Sequence, residues 1–291
     1  MANTINIQLS DIYEPVTDEQ VRTGKNFVLR RESAANGLAS LVDALMEDAT
    51  ARIVQICYKY GADPQRFTIS PNYNSDMFKE IAEVMDELEE EILDLTGSYA
   101  VRCTKEEKKK APLLLWVLAL GKNNKGLRQS LIERLRMFLK DIEAMIVATR
   151  LAKIPESKAV TLIKSNIHTA YQIPGMQSAF KNASLFEAEY IRSRGVKRGN
   201  VGSSNSEANN IFRFVKMAVQ MAWMKYHRDL YEEQGAVGYY VLRGSTYPCE
   251  LCQSKVGFHP IDDTDGFPMY HANCQCYTVP IFEKDINDLT L

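Results

Sequence analysis

Cys249, Cys252, His271, Cys274 and Cys276 are the residues whose types and spacing could do chemistry, and that chemistry is the binding of a soft or borderline divalent metal. Cys249-Glu250-Leu251-Cys252 is a C-x-x-C knuckle, in which two intervening residues let both sulfurs converge on one point. Beyond an intervening loop, His271-Ala272-Asn273-Cys274-Gln275-Cys276 offers an imidazole and two more thiols. Zinc takes four such donors in a tetrahedron, so five candidates compete for four places. Cys249, Cys252 and His271 fill three of them. Cys274 and Cys276 compete for the fourth, with the H-x-x-C spacing favouring Cys274 and leaving Cys276 as an outer or core thiol. A surplus of soft donors points to a closed structural Zn2+ site that contributes folding energy, with no open position for a water and no catalytic residue. Without a metal, the same cysteines would be small buried hydrophobes.

The setting agrees with metal binding. The chain has 291 residues and six cysteines, four of them between Cys249 and Cys276. The N-terminus has neither a basic stretch nor an apolar core, so no signal peptide is expected, and clustered cysteines then read as ligands rather than disulfides. The longest apolar run, Leu113 to Leu120, is far short of the roughly 20 residues that span a bilayer. A soluble protein made in a cytoplasm is therefore expected, with no membrane partner. A formal net charge of −2 excludes a broad nucleic-acid-coating face and leaves only local contacts.

The elements that must position these ligands can be read from hydrophobic period. The reading is a mainly α protein: an N-terminal arm over 1–30, a helical domain over 31–191, a linker over 192–206, and a small zinc-stapled α+β domain over 207–291. Ile5, Ile7 and Leu9 alternate, as in an extended arm or edge strand. Leu38 to Tyr60 repeats at helical spacing and closes at Gly61. After Pro71, Met77, Ile81, Val84, Leu88, Ile92 and Leu95 form a stripe opposite Asp86, Glu87, Glu89, Glu90 and Glu91, ending at Gly97. That acidic face reads as solvated, or as a surface for a basic partner. Lys105 to Lys110 reads as a charged loop, and Leu113 to Leu120 as a buried segment. Leu127 to Ile146 marks a long amphipathic helix. Pro155 suits the first turn of another, running to Tyr171, and a shorter one covers Met176 to Ile191.

The linker joins a basic half to a Gly/Ser-rich half. It reads as a solvated loop, or as a local phosphate contact through Arg192, Arg194, Lys197 and Arg198. Ser204 and Glu207 form an S-x-x-E capping box for a helix that ends near Gly235. Gly238 to Arg243 and Tyr277 to Phe282 read as strands. The stretch between the two ligand pairs reads as a loop that needs a metal staple.

The stretch from Ser204 through Pro280 resembles the C-terminal domain of the Mu-F-like phage head morphogenesis proteins, also called minor head or minor capsid proteins. Their pattern is a helix, a short strand, C-x-x-C, a variable loop closing on Pro-x-x-His-x-x-Cys-x-Cys, and a strand ending in Pro. Cys249-Glu-Leu-Cys252, Pro268-Met-Tyr-His271-Ala-Asn-Cys274-Gln-Cys276 and Val279-Pro280 match it. The chain departs from the family at Ser245-Thr-Tyr-Pro248, where an Asp-containing step is common. It departs again at Phe267-Pro268-Met-Tyr270, where Pro-Pro with a Leu is common. The resemblance covers the last third of the chain. It implies a non-enzymatic virion protein inside the phage head, made in the host cytoplasm. Its partners would be the portal protein, the capsid interior and packaged double-stranded DNA, with no small-molecule substrate. Some such proteins carry a further toxin or enzyme domain; with Leu291 close behind Pro280, none is expected here.

Three other readings compete with this one. Pro248-Cys-Glu-Leu-Cys252 fits half of a zinc-deaminase signature, but the upstream H-x-E is missing; His227-Arg228-Asp229 is the nearest approach. A zinc-stapled nuclease of the His-Asn-His kind would use His259, His271 and Asn273, although His271 is better spent as a ligand. A cellular zinc-binding adaptor fits the composition equally well.

Overall fold

A computed structural model describes residues 16–120, 126–169, 206–246, 248–271 and 274–283. The protein is mainly helical, with a small antiparallel sheet near the C-terminal end. The helices are α1 (Asp18–Lys59), α2 (Ser75–Ala100), α3 (Glu107–Ala119), α4 (Gly126–Leu151), α5 (Glu156–Lys164), α6 (Glu207–Glu233) and a single turn, α7 (Glu250–Gln253). The strands are β1 (Gly238–Leu242), β2 (Gly257–Pro260) and β3 (Tyr277–Ile281), in the order β2-β1-β3. No helix among the described residues is long and apolar enough to cross a membrane.

The chain divides into two compact units, one drawn from Met1–Gly37, Gly97–Val117 and Lys216–Leu291, the other from Leu38–Thr96 and Leu118–Val215. The units are thus interleaved along the sequence, where the sequence reading placed domains end to end. Both α1 and α6 begin in one unit and finish in the other.

The second unit is helical. Its core comes from Leu38, Val42, Met46, Ile53 and Cys57 of α1, Met77, Ile81, Val84, Leu88 and Ile92 of α2, and Leu127 through Ile146 of α4. Buried acids tie loops and helix ends to it. Glu143 accepts from the Ile69 backbone N–H at 2.7 Å, and Asp141 accepts from the Glu207 backbone N–H at 2.8 Å, satisfying an otherwise orphan donor at the start of α6. The acidic face of α2 is partly neutralised by Arg52–Glu87 at 2.7 Å and Arg128–Glu89 at 2.6 Å.

In the first unit, α1 enters with buried Gly24, Val28, Arg31 and Ala35 on one stripe. The arm expected over residues 1–30 is therefore helix from Asp18 onward, while 1–15 lie outside the described residues. The helical period was hidden because two of its four buried positions carry Gly and Arg. A start signal is present nonetheless. Thr17 and Gln20 form a capping box, the Gln20 amide oxygen accepting from the Thr17 N–H at 2.8 Å and the Thr17 hydroxyl from the Gln20 N–H at 3.3 Å.

Other expectations are corrected. Gly97 lies inside α2, which continues to Ala100; a Cβ there would sit 2.8 Å from Leu114 Cδ1, so the glycine serves close packing rather than a stop. Lys108 to Lys110 are helical, in α3. Of the apolar run that follows them, Leu113 and Val117 are buried while Leu115 is 68% exposed. Pro155 stands just before α5, which ends at Lys164 rather than Tyr171. Glu207 is the first residue of α6, too early for a capping-box partner; Ser206 receives the Ala208 N–H instead, at 3.2 Å. Ser204 and the helix expected over Met176 to Ile191 lie outside the described residues.

His227 of α6 is half-buried, stacked on Phe27 with centroids 3.9 Å apart, and its Nδ1 has no hydrogen-bond partner among the described residues. Burial, aided by the positive charge of Arg31, lowers its pKa to about 4. The unfolded chain takes up this proton near pH 6.5 and the folded one only near 4, so the associated stability is complete above about 6.5 and drains away as pH falls toward 4. Wild type should lose roughly 3 kcal/mol more than His227→Phe between pH 7 and 4. Urea denaturation at both pH values checks this, and equal losses in the two proteins would reject it.

Candidate metal centre

The sheet is what brings the candidate ligands together. β1 is its central strand, pairing antiparallel with β2 (Tyr240 opposite Phe258) and with β3 (Tyr240 opposite Val279). Strand alternation splits its side chains. Tyr239 and Val241 join Met224 and Tyr231 of α6 together with Cys252, Phe267, Cys274 and Cys276 in one cluster. On the other face Tyr240 packs with Ile281, while Val28 of α1 packs with Tyr277 and Val279. Tyr231 pins α6 to the sheet, its hydroxyl donating to the Thr278 carbonyl at 2.9 Å. β1 ends at Leu242, a short connection before the knuckle at Cys249, and the CxC segment runs straight into β3. Antiparallel pairing of the two strands therefore sets both ligand pairs side by side at one end of the sheet.

Close backbone approach completes the convergence. Gly244, just after β1, lies so near the Gln275 carbonyl that a Cβ would be 2.0 Å from its oxygen. In the knuckle the Cys252 N–H donates to Cys249 Sγ at 3.4 Å and the Gln253 N–H to the Cys249 carbonyl at 2.9 Å. In the second half the Cys274 N–H donates to the His271 carbonyl at 2.9 Å, curling the H-x-x-C turn.

The donors form two triads that share Cys252: Cys249, Cys252 and His271, and Cys252, Cys274 and Cys276, each with its donor atoms within 4.8 Å of one another. His271 Nε2 is 3.5 Å from Cys249 Sγ and 3.0 Å from Cys252 Sγ. A tetrahedral zinc with ordinary Zn–S and Zn–N bonds separates S and N by about 3.6 Å, so the first triad fits such an ion with small adjustments. Cys276 lines the same cavity as Cys249, Cys252 and His271, and Arg243, Ser245, Pro248 and Gln275 also line it. Cys274, which the spacing favoured as fourth ligand, is fully buried and does not line that cavity.

The thiols differ electrostatically. Hydrogen bonding from the neighbouring Cys252 draws Cys249 down, and burial pushes Cys252 up to about 12. The Cys276 thiol donates to the Cys274 sulfur, which lowers Cys274 and raises Cys276. Cys57 and Cys103 lie apart from the cluster, and burial pushes each up to about 12.

The stretch between the ligand pairs, expected to be loop, contains β2. Its Gly238↔Pro260 to Val241↔Gly257 register passed unnoticed because Gly257-Phe-His-Pro260 is short and Pro-terminated. His259 secures this stretch: Nδ1 bonds Asp263 at 2.8 Å, Nε2 bonds the Lys255 carbonyl at 2.9 Å, and the ring stacks on Tyr239. That bonding holds Asp263 below the ordinary carboxylate range. With both ring nitrogens engaged, His259 has none left to activate a water. Asn273 and the basic set Arg192, Arg194, Lys197 and Arg198 lie outside the described residues. Compared with known families, with curated proteins and with solved structures, the chain matches none.

Proposed function

We propose that the protein is a minor head protein of a tailed phage, acting at the portal vertex in head assembly, with a structural zinc stapling its C-terminal module. The observation that carries this reading is the Cys249-x-x-Cys252…His271-x-x-Cys274-x-Cys276 frame, set in the element order that the resemblance implies. A helix (α6) leads to a short strand (β1), a knuckle, a returning segment with the His and CxC ligands, and a closing strand containing Pro280. Zinc is the metal that best suits one imidazole with thiolates. Cys249, Cys252, His271 and Cys276 are its ligands in this reading, Cys276 taking the fourth place because it faces the shared cavity. The helical second unit supplies faces for the portal and the capsid interior. Arg192, Arg194, Lys197 and Arg198 supply a local contact to packaged DNA, one that weakens as salt rises.

The test is genetic and physical. Deleting the gene from the phage or prophage that encodes it should leave few infectious particles, and mass spectrometry of purified wild-type virions should find the protein with the head fraction. Replacing the four basic residues with Gln should reduce DNA retention and its salt dependence without removing the protein from particles. Absence from the particles would end the head-protein reading, and unchanged DNA binding would end the DNA contact.

A further inference from the structure

Arg31 is completely buried in α1, on a stripe where Val28 and Ala35 would lead one to expect another apolar residue. Taking a guanidinium out of water costs several kcal/mol, so its partners must account for it. Nη2 donates to the Cys274 carbonyl at 2.7 Å and Nη1 to Met224 Sδ at 3.0 Å, while Nε has no hydrogen-bond partner among the described residues. Its carboxylate neighbour, Glu32, is at 3.3 Å and also accepts from Gln220 Nε2 at 2.5 Å. The short, charge-assisted bond therefore goes to the backbone of the ligand segment rather than to the carboxylate.

That carbonyl belongs to the turn already closed by the Cys274 N–H and the His271 carbonyl. Arg31 also sits within electrostatic range of the Cys274 and Cys276 sulfurs. Three thiolates and a neutral imidazole around a divalent cation carry a net single negative charge, which a buried cation offsets.

We propose that Arg31 is a positioning residue of the metal centre, holding the H-x-x-C-x-C turn through the Cys274 carbonyl and balancing the charge of its thiolates. The proposal rests on the metal reading above. It also gives the first helix a direct part in a site whose ligands all lie more than two hundred residues further along the chain.

The test is zinc release from the purified full chain into a chromogenic chelator, for wild type, Arg31→Met, Arg31→Lys and Val28→Ala. Val28 lies in the same helix and packs on Tyr277 and Val279 of the closing strand, so it reports on packing of the helix against the sheet. Arg31→Met should release zinc about tenfold faster or more, the usual scale for an outer partner of a metal ligand. Arg31→Lys, keeping the charge and losing the fork, should fall between it and wild type, and Val28→Ala should stay close to wild type. The cobalt-substituted protein should show an altered visible spectrum in Arg31→Met alone.

Wild-type release from Arg31→Met, or equal acceleration by Val28→Ala, overturns the proposal while leaving the metal site intact. Should Arg31→Met fail to fold, wild-type release from Arg31→Lys overturns it equally. A wild type that binds no zinc removes the metal reading itself, and this inference with it.

Discussion

Elemental analysis should find one zinc per chain, and Cys249→Ser or exhaustive chelation should remove it and open the C-terminal segment to proteolysis between residues 253 and 270. The size of the effect follows from where the ligands sit. Cys252, Cys274 and Cys276 are members of the same buried cluster as Tyr239, Val241 and Phe267, so a metal held by them would be part of the core of this unit. Structural zinc sites contribute about 10–16 kcal/mol of apparent binding energy in small peptides, comparable with the whole stability of a typical domain. Part of that is offset here because the sheet, α6 and the apolar cluster remain when the metal leaves. A fall in apparent Tm of roughly 10 °C or more is expected for the stripped protein, restored by adding zinc back. Proteolysis should begin in the stretch after β2, where Asp262, Thr264 and Asp265 are exposed. A metal-free wild type that resists protease as well as the loaded one would sink the staple.

Gly244→Ala should be the most damaging glycine-to-alanine change among the described residues. Its Cβ would lie 2.0 Å from the Gln275 carbonyl oxygen and 3.0 Å from the carbonyl carbon. Neither atom can step aside as a flexible side chain would, because Gln275 is fixed between two buried cysteines and leads directly into β3. The strand end carrying the knuckle would have to move away from the turn carrying the second ligand pair. Overpacking of this kind costs about 1–3 kcal/mol, with a backbone clash at the upper end or beyond, and zinc occupancy should fall with stability. Gly61→Ala is the control: its φ of 69° penalises alanine, yet nothing lies within 4 Å of the added carbon, so a cost of about 1 kcal/mol and full zinc content are expected. Chemical denaturation and zinc content of the three proteins decide the matter. A Gly244→Ala protein as stable and as zinc-loaded as Gly61→Ala would show that the two turns can part without loss.

The Cys/His cluster that could hold a metal was legible because metal chemistry demands particular side chains at close spacing, and Cys249, Cys252, His271, Cys274 and Cys276 satisfy that demand locally in two short motifs. Long helices were legible for a similar reason: α2 and α4 bury one stripe each, and a 3.6-residue period survives wherever the buried positions are apolar. The first three to four turns of α1 escaped because Gly24 and Arg31 occupy buried positions for reasons found far along the chain. A Cβ at position 24 would press on Tyr277, and the Arg31 guanidinium bonds the Cys274 carbonyl. β2 escaped because a four-residue strand ending in proline has too short a period to read, and only its register on β1 defines it. Local sequence thus determined the donor types, the helical stripes and the strands flanking the site. Tertiary structure alone decided that α1 and α6 each serve two units, which of two competing cysteines faces the cavity, and that a cation from the first helix meets the Cys274 carbonyl. Each of those depends on contacts between residues scores to hundreds of positions apart, which no local period encodes.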